Sequence, residues 1–216
     1  MRAEARARER RREMILIFDV ETTGLPDRSA RVGSIDGWPR IVSLAWQIGT
    51  ESGFLSHGGQ ALIQPDGYII PNGAAAINGI TQERAIQHGF PIRQVLTDFL
   101  RDAAGVKMIV CHNVRFDIGC VVAECRRLRE DNGAQELMGI PTFCTMNNGI
   151  EIAKKPGDRW PSLTELHLAL FGEPYANPHT ASADVKATAR CYFEMTGRTS
   201  EAGGMEMSHS IRQPCG

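Results

Sequence analysis

The sequence has little that would carry it into a membrane. Its N-terminal apolar run covers only residues 14–18, against the roughly 20 apolar residues of a membrane-spanning helix, and it is too short for a signal-peptide core. A cytoplasmic setting with no membrane partner is the default expectation. No two of the six cysteines (Cys111, Cys120, Cys125, Cys144, Cys191, Cys215) form a C-x-x-C pair, which argues against structural zinc. Their spacing in a chain of 216 residues argues equally against a disulfide framework. Cys111 and Cys144 fall in expected strands, as small core residues. A dominant charge is missing too. The formal net charge is −1, so there is no broad basic field, and any contact with nucleic acid has to be local. The composition is not that of a disordered chain either. Apolar residues make up 42% and charged residues 23%, which suits one compact domain with a full core.

What is present is an alternation of strand and helix signals. Residues 1–13 carry six Arg and three Glu. They read as a solvated arm rather than a nucleic-acid arm, because the acids dilute the charge. A domain is expected over 14–197, and a disordered Gly- and Ser-rich tail over 198–216. Within the domain, strands are expected over 14–20, 41–48 and about 61–64, with a long loop over 25–40 that holds Trp38. Residues 72–80 read as a turn, and Thr81 as the cap of a short helix. Over 91–100, Ile92, Val95, Leu96, Phe99 and Leu100 follow helical spacing. "QVLTDFL" (94–100) therefore reads as the inner face of that helix, not as a tether to a clamp or polymerase. A strand follows over 107–111. The helix expected over 116–129 turns Ile118, Val121, Val122, Cys125 and Leu128 inward. A short strand is expected at 142–145. Ser162 and Glu165 form a capping box that opens a helix to 170, and a last helix is expected over 181–196. This order implies an α/β fold, a mixed sheet with helices on its faces.

Charge sits where it is least expected in "ILIFDVETTG" (15–24). Asp19 and Glu21 lie in a run that otherwise reads as core. Residues two apart in a strand share a face, roughly 6–7 Å apart. Two like charges on a buried strand need a positive partner: a basic side chain, a shared proton or a metal ion. The rest of the chain supplies more acid instead. "VCHNVRFDIG" (110–119) places Asp117 in the first turn of a helix, and "HTASADVKATARCY" (179–192) does the same for Asp184, with His179 five residues earlier. Each alone reads as a helix-dipole partner. All four carboxylates fall at strand ends or helix starts along one edge of the sheet. Four converging carboxylates select hard divalent cations, Mg²⁺ or Mn²⁺. Two such ions can clamp a phosphodiester, and a neutral histidine beside the attacking water suits a general base.

These segments resemble the DEDDh, or DnaQ-like, 3′–5′ exonuclease superfamily, which includes the proofreading subunit of bacterial DNA polymerase. "FDVETTG" is similar to its first motif, "HNVRFD" to its second and "HTASADVKAT" to its third. "INGIT" (77–81) and "LTELHLALFGE" (163–173) resemble its connecting text. The likeness spans about residues 14–195. It implies a ribonuclease H-like fold with a five-stranded mixed sheet flanked by helices. It implies metal ligation by Asp19, Glu21, Asp117 and Asp184, with two Mg²⁺ or Mn²⁺ as cofactors and His179 as base. Thr22, Thr23, Gly24 and Leu25 would receive the 3′-terminal nucleotide. Leu25 either wedges against a base or plugs the core. Asn113 either orients the scissile region or caps a helix. Phe116 reads as core. The implied activity is removal of nucleoside 5′-monophosphates from the 3′ end of single-stranded DNA, in proofreading or repair beside a DNA polymerase or repair partner. Alternatives are an exoribonuclease acting on short RNA and a catalytically silent nucleic-acid-binding module.

Overall fold

A computed structural model describes residues 13–154, 157 and 159–198. The expected arm and tail, apart from Glu13 and Arg198, lie outside these residues. Five strands form one mixed sheet: β1 (Met14–Thr22), β2 (Ile41–Thr50), β3 (Leu55–Leu62), β4 (Met108–Cys111) and β5 (Thr142–Cys144). Their spatial order is β3-β2-β1-β4-β5. β1 pairs antiparallel with β2 and parallel with β4, and β4 pairs parallel with β5. The helices are α1 (Asn72–Asn78), α2 (Gln82–His88), α3 (Ile92–Ala103), α4 (Val114–Arg127), α5 (Asp131–Gly139), α6 (Thr145–Asn148), α7 (Ile150–Ala153), α8 (Leu163–Phe171) and α9 (Ala181–Met195).

β1 is the central strand, and its pleat divides the core in two. Leu16, Phe18 and Val20 pack with Val95, Leu96 and Phe99 of α3 and with Ile118, Val121 and Val122 of α4. Phe99 stands edge-on to Phe18 and Trp46, with ring centroids 5.1 and 5.6 Å apart. Ile15 and Ile17 face the other way, against Ala181, Val185, Ala189, Tyr192 and Phe193 of α9. Helices thus cover both faces, as the alternation of elements implies.

Two local expectations need correction. Residues 72–80 are not merely a turn. Three consecutive alanines, the best helix formers, carry α1 to Asn78, and Gly79 ends it in the left-handed conformation at φ 70°. The third strand covers Leu55–Leu62 rather than about 61–64. Its "HGGQ" centre lacks any strand signature because Trp46 of β2 lies across it. A side chain at Gly58 or Gly59 would overlap the Trp46 backbone or ring. Residues 131–139 form a helix, α5, that the sequence pattern does not announce; its buried anchors are Ala134 and Leu137, with Met138 packed beside them. Other boundaries move by a few residues. The capping box is present, with Ser162 Oγ accepting from the Glu165 amide at 3.3 Å and the Glu165 carboxylate accepting from the Ser162 amide at 2.7 Å.

The long loop after β1 is fixed from below. Trp38 is buried in the core between β1 and α4. Gly119 on α4 is its seat, since a Cβ there would overlap the indole. Trp38 Nε1 donates to the Arg31 carbonyl at 2.9 Å, and Arg127 donates to the Trp38 carbonyl at 2.7 Å. The five described cysteines are buried and free. Among the described residues no helix is long and apolar enough to cross a membrane.

Candidate active site

The odd-numbered face of β1, Ile15 and Ile17 against α9, continues as Asp19 and Glu21. Apolar burial stops there and acid begins. α9 starts above this point, so Asp184 in its first turn lands on the two strand carboxylates. Asp19, Glu21 and Asp184 each offer an oxygen, and all three atoms lie within 4.8 Å of one another. β4 lies parallel beside β1 with Ile17 opposite Val110, and its exit into α4 brings Asp117 to the same edge. Asp117 is 1% exposed. Its Oδ1 accepts from the Val20 amide at 3.3 Å, and its Oδ2 is buried without a hydrogen-bond partner. All four carboxylates expected to converge do so.

The cluster is electrostatically incomplete by itself. Burial pushes Asp19 well above the usual carboxylate range, and the carboxylates of Asp117, Asp184 and Glu21 push it further. Burial also raises Asp117, against hydrogen bonds from the Val20 and Asp117 amides. Glu21 is pushed up to about 7, chiefly by burial and then by Asp184. Asp184 is raised by burial, an effect opposed by Tyr175 and by His179. The groups that would ordinarily answer such charge, Lys or Arg, are not among these causes. A set of hard carboxylate oxygens, one of them orphaned in the interior, fits a divalent cation.

His179 stands at the rim, exposed, in the left-handed conformation at φ 64°. Its charge and its backbone amide both favour ionised Asp184, so it lies beside the cluster without joining the three-carboxylate group. Asn113 occupies the N-cap position of α4 at φ 79°, but its side chain makes no capping bond. Its carbonyl instead receives the Phe116 amide at 2.8 Å. Phe116 packs on the core. Leu25 is 86% exposed, which removes the core-plug reading. Thr22 Oγ1 donates to the Gly24 carbonyl at 2.6 Å, and Thr23 exchanges two bonds of 2.9 and 3.0 Å with the Arg40 backbone. This bend is therefore held from within.

Sequence reasoning did not find three supports of the site. Tyr175 donates to Asp184 Oδ1 at 2.7 Å, from a loop with no helical or strand signature. Buried Asn78 reaches the Thr22 carbonyl at 3.4 Å, and "INGIT" was the one signal that pointed to it. Glu124, buried on α4, accepts from Arg40 Nε at 2.7 Å and from the Ile41 amide at 3.3 Å, which fixes the return of the loop. Beside Glu21 opens a cleft of about 420 Å³ whose lining includes Asn78, Arg84, Asn177, Thr180 and Ser182.

The sequence matches the Exonuclease family over residues 16–192. The fold is similar to that of E. coli exonuclease I in complex with a dT13 oligonucleotide, at 20% identity and a TM-score of 0.66, over 86% of this chain and 41% of that one. It is also similar to a moderately thermophilic exonuclease I from Methylocaldum szegediense, at 18% identity and a TM-score of 0.60, over 87% of this chain and 41% of that one. The chain therefore spans about two-fifths of the length of those exonuclease I chains. No curated protein matches the sequence. The family match runs from the strand that carries Asp19 and Glu21 to the helix that carries Asp184, on a ribonuclease H-like sheet, and the chain belongs to the exonuclease family within the DEDDh, DnaQ-like superfamily.

Proposed function

We propose that the protein is a metal-dependent 3′–5′ exonuclease that hydrolyses phosphodiester bonds of single-stranded DNA from the 3′ end and releases nucleoside 5′-monophosphates. The observation that carries this reading is the convergence of Asp19, Glu21, Asp184 and the half-satisfied Asp117 on one buried edge. These four residues would hold two divalent cations, Mg²⁺ or Mn²⁺. When bound, such ions supply an activated water and neutralise charge on the phosphoryl group.

The remaining work falls to the chain itself. His179 takes the proton from the attacking water. Its exposed place on the rim, next to Asp184, leaves the imidazole free to face solvent and substrate. The water oxygen bonds to phosphorus, the bond to the 3′-oxygen of the preceding nucleotide breaks, and that oxygen leaves as the new 3′ end. The cleft beside Glu21 receives the terminal nucleoside, and 420 Å³ is of the size that takes a small ligand. The bend of Thr22, Thr23 and Gly24 presents backbone groups to the 3′-hydroxyl, and exposed Leu25 wedges against a base. Asn113, free of capping duty, orients the scissile region. Binding of a DNA oligonucleotide by the similar E. coli exonuclease I supports the choice of substrate. The same reading takes in a polymerase or repair partner and a cytoplasmic setting.

Matched DNA and RNA strands, labelled at either end and incubated with Mg²⁺ or Mn²⁺, test it. A 5′-labelled DNA strand should shorten one nucleotide at a time, and a 3′ label should appear at once as a mononucleotide. Cleavage inside a circular single strand would overturn the exonuclease reading. Degradation of RNA alone would assign an exoribonuclease, and binding of both without cleavage a silent module.

A further inference from the structure

We propose that Trp160 is a stacking platform for a base of the single strand, on the 5′ side of the scissile phosphate. The proposal rests on the nuclease reading above and adds a subsite to it. Three tryptophans occur in the chain. Trp38 and Trp46 are core residues, whereas Trp160 is 65% exposed. A large aromatic face left in water is informative only if it is held somewhere useful, and this one is held by the two residues that follow it. The next residue, Pro161, is buried, and its carbonyl lies 3.1 Å from His112 Nε2. A carbonyl can only accept, so Nε2 carries the proton. Burial drives the His112 pKa down to about 4, so the ring is neutral, and Nδ1 accepts from Thr145 Oγ1 at 3.0 Å. One residue further on, Ser162 closes the capping box that starts α8. Trp160 is therefore presented on a fixed rim.

The rim's location points to the ligand. His112 links the end of β4 to the start of α4, the junction that delivers Asp117 to the carboxylates. In the order β3-β2-β1-β4-β5, the cleft beside Glu21 is lined by Ser43, Gln60 and Leu62 of β2 and β3. Trp160 is tied to the β4–β5 side. Cleft and tryptophan thus flank the carboxylates on opposite sides. A strand whose 3′-terminal nucleoside fills the cleft and whose scissile phosphate meets the carboxylates must leave toward β4 and β5. The near-zero net charge sharpens the point. With a net charge of −1 there is no broad basic field, so stacking on an aromatic face supplies a larger share of the grip, and it does so for any base.

The test uses the full chain, Trp160→Ala and Trp160→Phe. The probes are a phosphorothioate thymidine tetranucleotide, the cleavable tetranucleotide, and the p-nitrophenyl ester of thymidine 5′-monophosphate, which has no nucleotide beyond the scissile bond. Binding of the resistant tetranucleotide should quench the exposed tryptophan emission of the wild type, and Trp160→Phe should lack that signal. Trp160→Ala should weaken binding and raise KM for the cleavable tetranucleotide roughly 5- to 150-fold, the scale of one lost base–aromatic stack. Its kcat, and its turnover of the ester, should stay at wild-type values. Trp160→Phe should recover most of the affinity. Wild-type affinity in Trp160→Ala overturns the proposal. So does a parallel loss of ester turnover, which would make Trp160 a support of the carboxylates. If the wild type hydrolyses neither substrate, the nuclease reading itself falls, and the subsite with it.

Discussion

The two faces of β1 begin alike and end differently. On one, Leu16, Phe18 and Val20 stay apolar along the strand and are covered by α3 and α4. On the other, Ile15 and Ile17 are covered by α9, but the next two positions are Asp19 and Glu21. The same backbone thus gives one face wholly to burial and half of the other to charge. Burial of the apolar face holds the strand rigid where the carboxylates need to be fixed. Crowding of carboxylates on the other face works against folding until a cation is supplied. Stability and chemistry are separated by one residue in sequence and by the thickness of a sheet in space.

The comparison predicts that substitutions on the charged face act on turnover and metal, and those on the apolar face act on stability. The largest effect is expected from Asp184→Asn, which removes the negative charge of one of the three clustered carboxylates. Mn²⁺ affinity and single-turnover rate should fall together, while the melting temperature of the metal-free protein holds or rises, because like charge has been removed. His179→Ala should keep its Mn²⁺ affinity and still lose roughly 10²–10⁴-fold in rate, the usual scale for a lost general base. Loss of metal in His179→Ala, or retention of it in Asp184→Asn, would break the division of roles.

One step along the strand, Phe18→Ala should cost about 3–5 kcal/mol by chemical denaturation, the range for a large aromatic removed from a core. Whatever fraction stays folded should bind Mn²⁺ as the wild type does. A folded variant that had lost metal would show that the two faces are not independent.

A smaller effect is expected from Tyr175→Phe. The hydroxyl that donates to Asp184 at 2.7 Å is lost while the ring remains. Outer partners of metal ligands are worth roughly 10–100-fold in affinity or activity. A Mn²⁺ titration of the variant checks this, and unchanged affinity would make the bond incidental.

The mildest handle is pH. Glu21 is raised from 4.5 to about 7 in the fold, so the folded state holds its proton more tightly than the unfolded chain does. The resulting stabilisation is fully present below about pH 4.5 and is lost as pH rises through about 7. Thermal melts of the metal-free protein should therefore fall across that window. Glu21→Gln should flatten the slope, and so should saturating Mn²⁺. A slope of opposite sign would mean that the cluster is already compensated by charge.

How much of this was legible beforehand follows from the range of the forces involved. β1, α3 and α9 could be read from the sequence because periodicity and capping are local, and the capping box at Ser162 is a four-residue pattern with its own hydrogen bonds. Asp19 and Glu21 could be read because charge inside an apolar run is anomalous wherever it occurs, whereas Asp117 and Asp184 stood out only together with them. β3 could not, since Gly58 and Gly59 answer to Trp46 on the neighbouring strand and carry no strand preference of their own. α1 was hidden because "NG" pairs at both ends of its alanines look like turns.

By itself the sequence marked the candidates for the chemistry: Asp19 and Glu21 by their place in an apolar run, and Asp117, Asp184 and His179 by the resemblance of their segments to a known family. Tertiary structure alone decided what those side chains meet. Parallel pairing of β1 with β4 brings Asp117 to Asp19 across about 100 residues of chain. Packing on Gly119 takes Trp38 out of reach of any substrate, while Leu25, also apolar and in the same loop, is left in water. Hydrophobicity ranks both residues as candidates for burial. Only the space left by the rest of the fold decides which of them is buried.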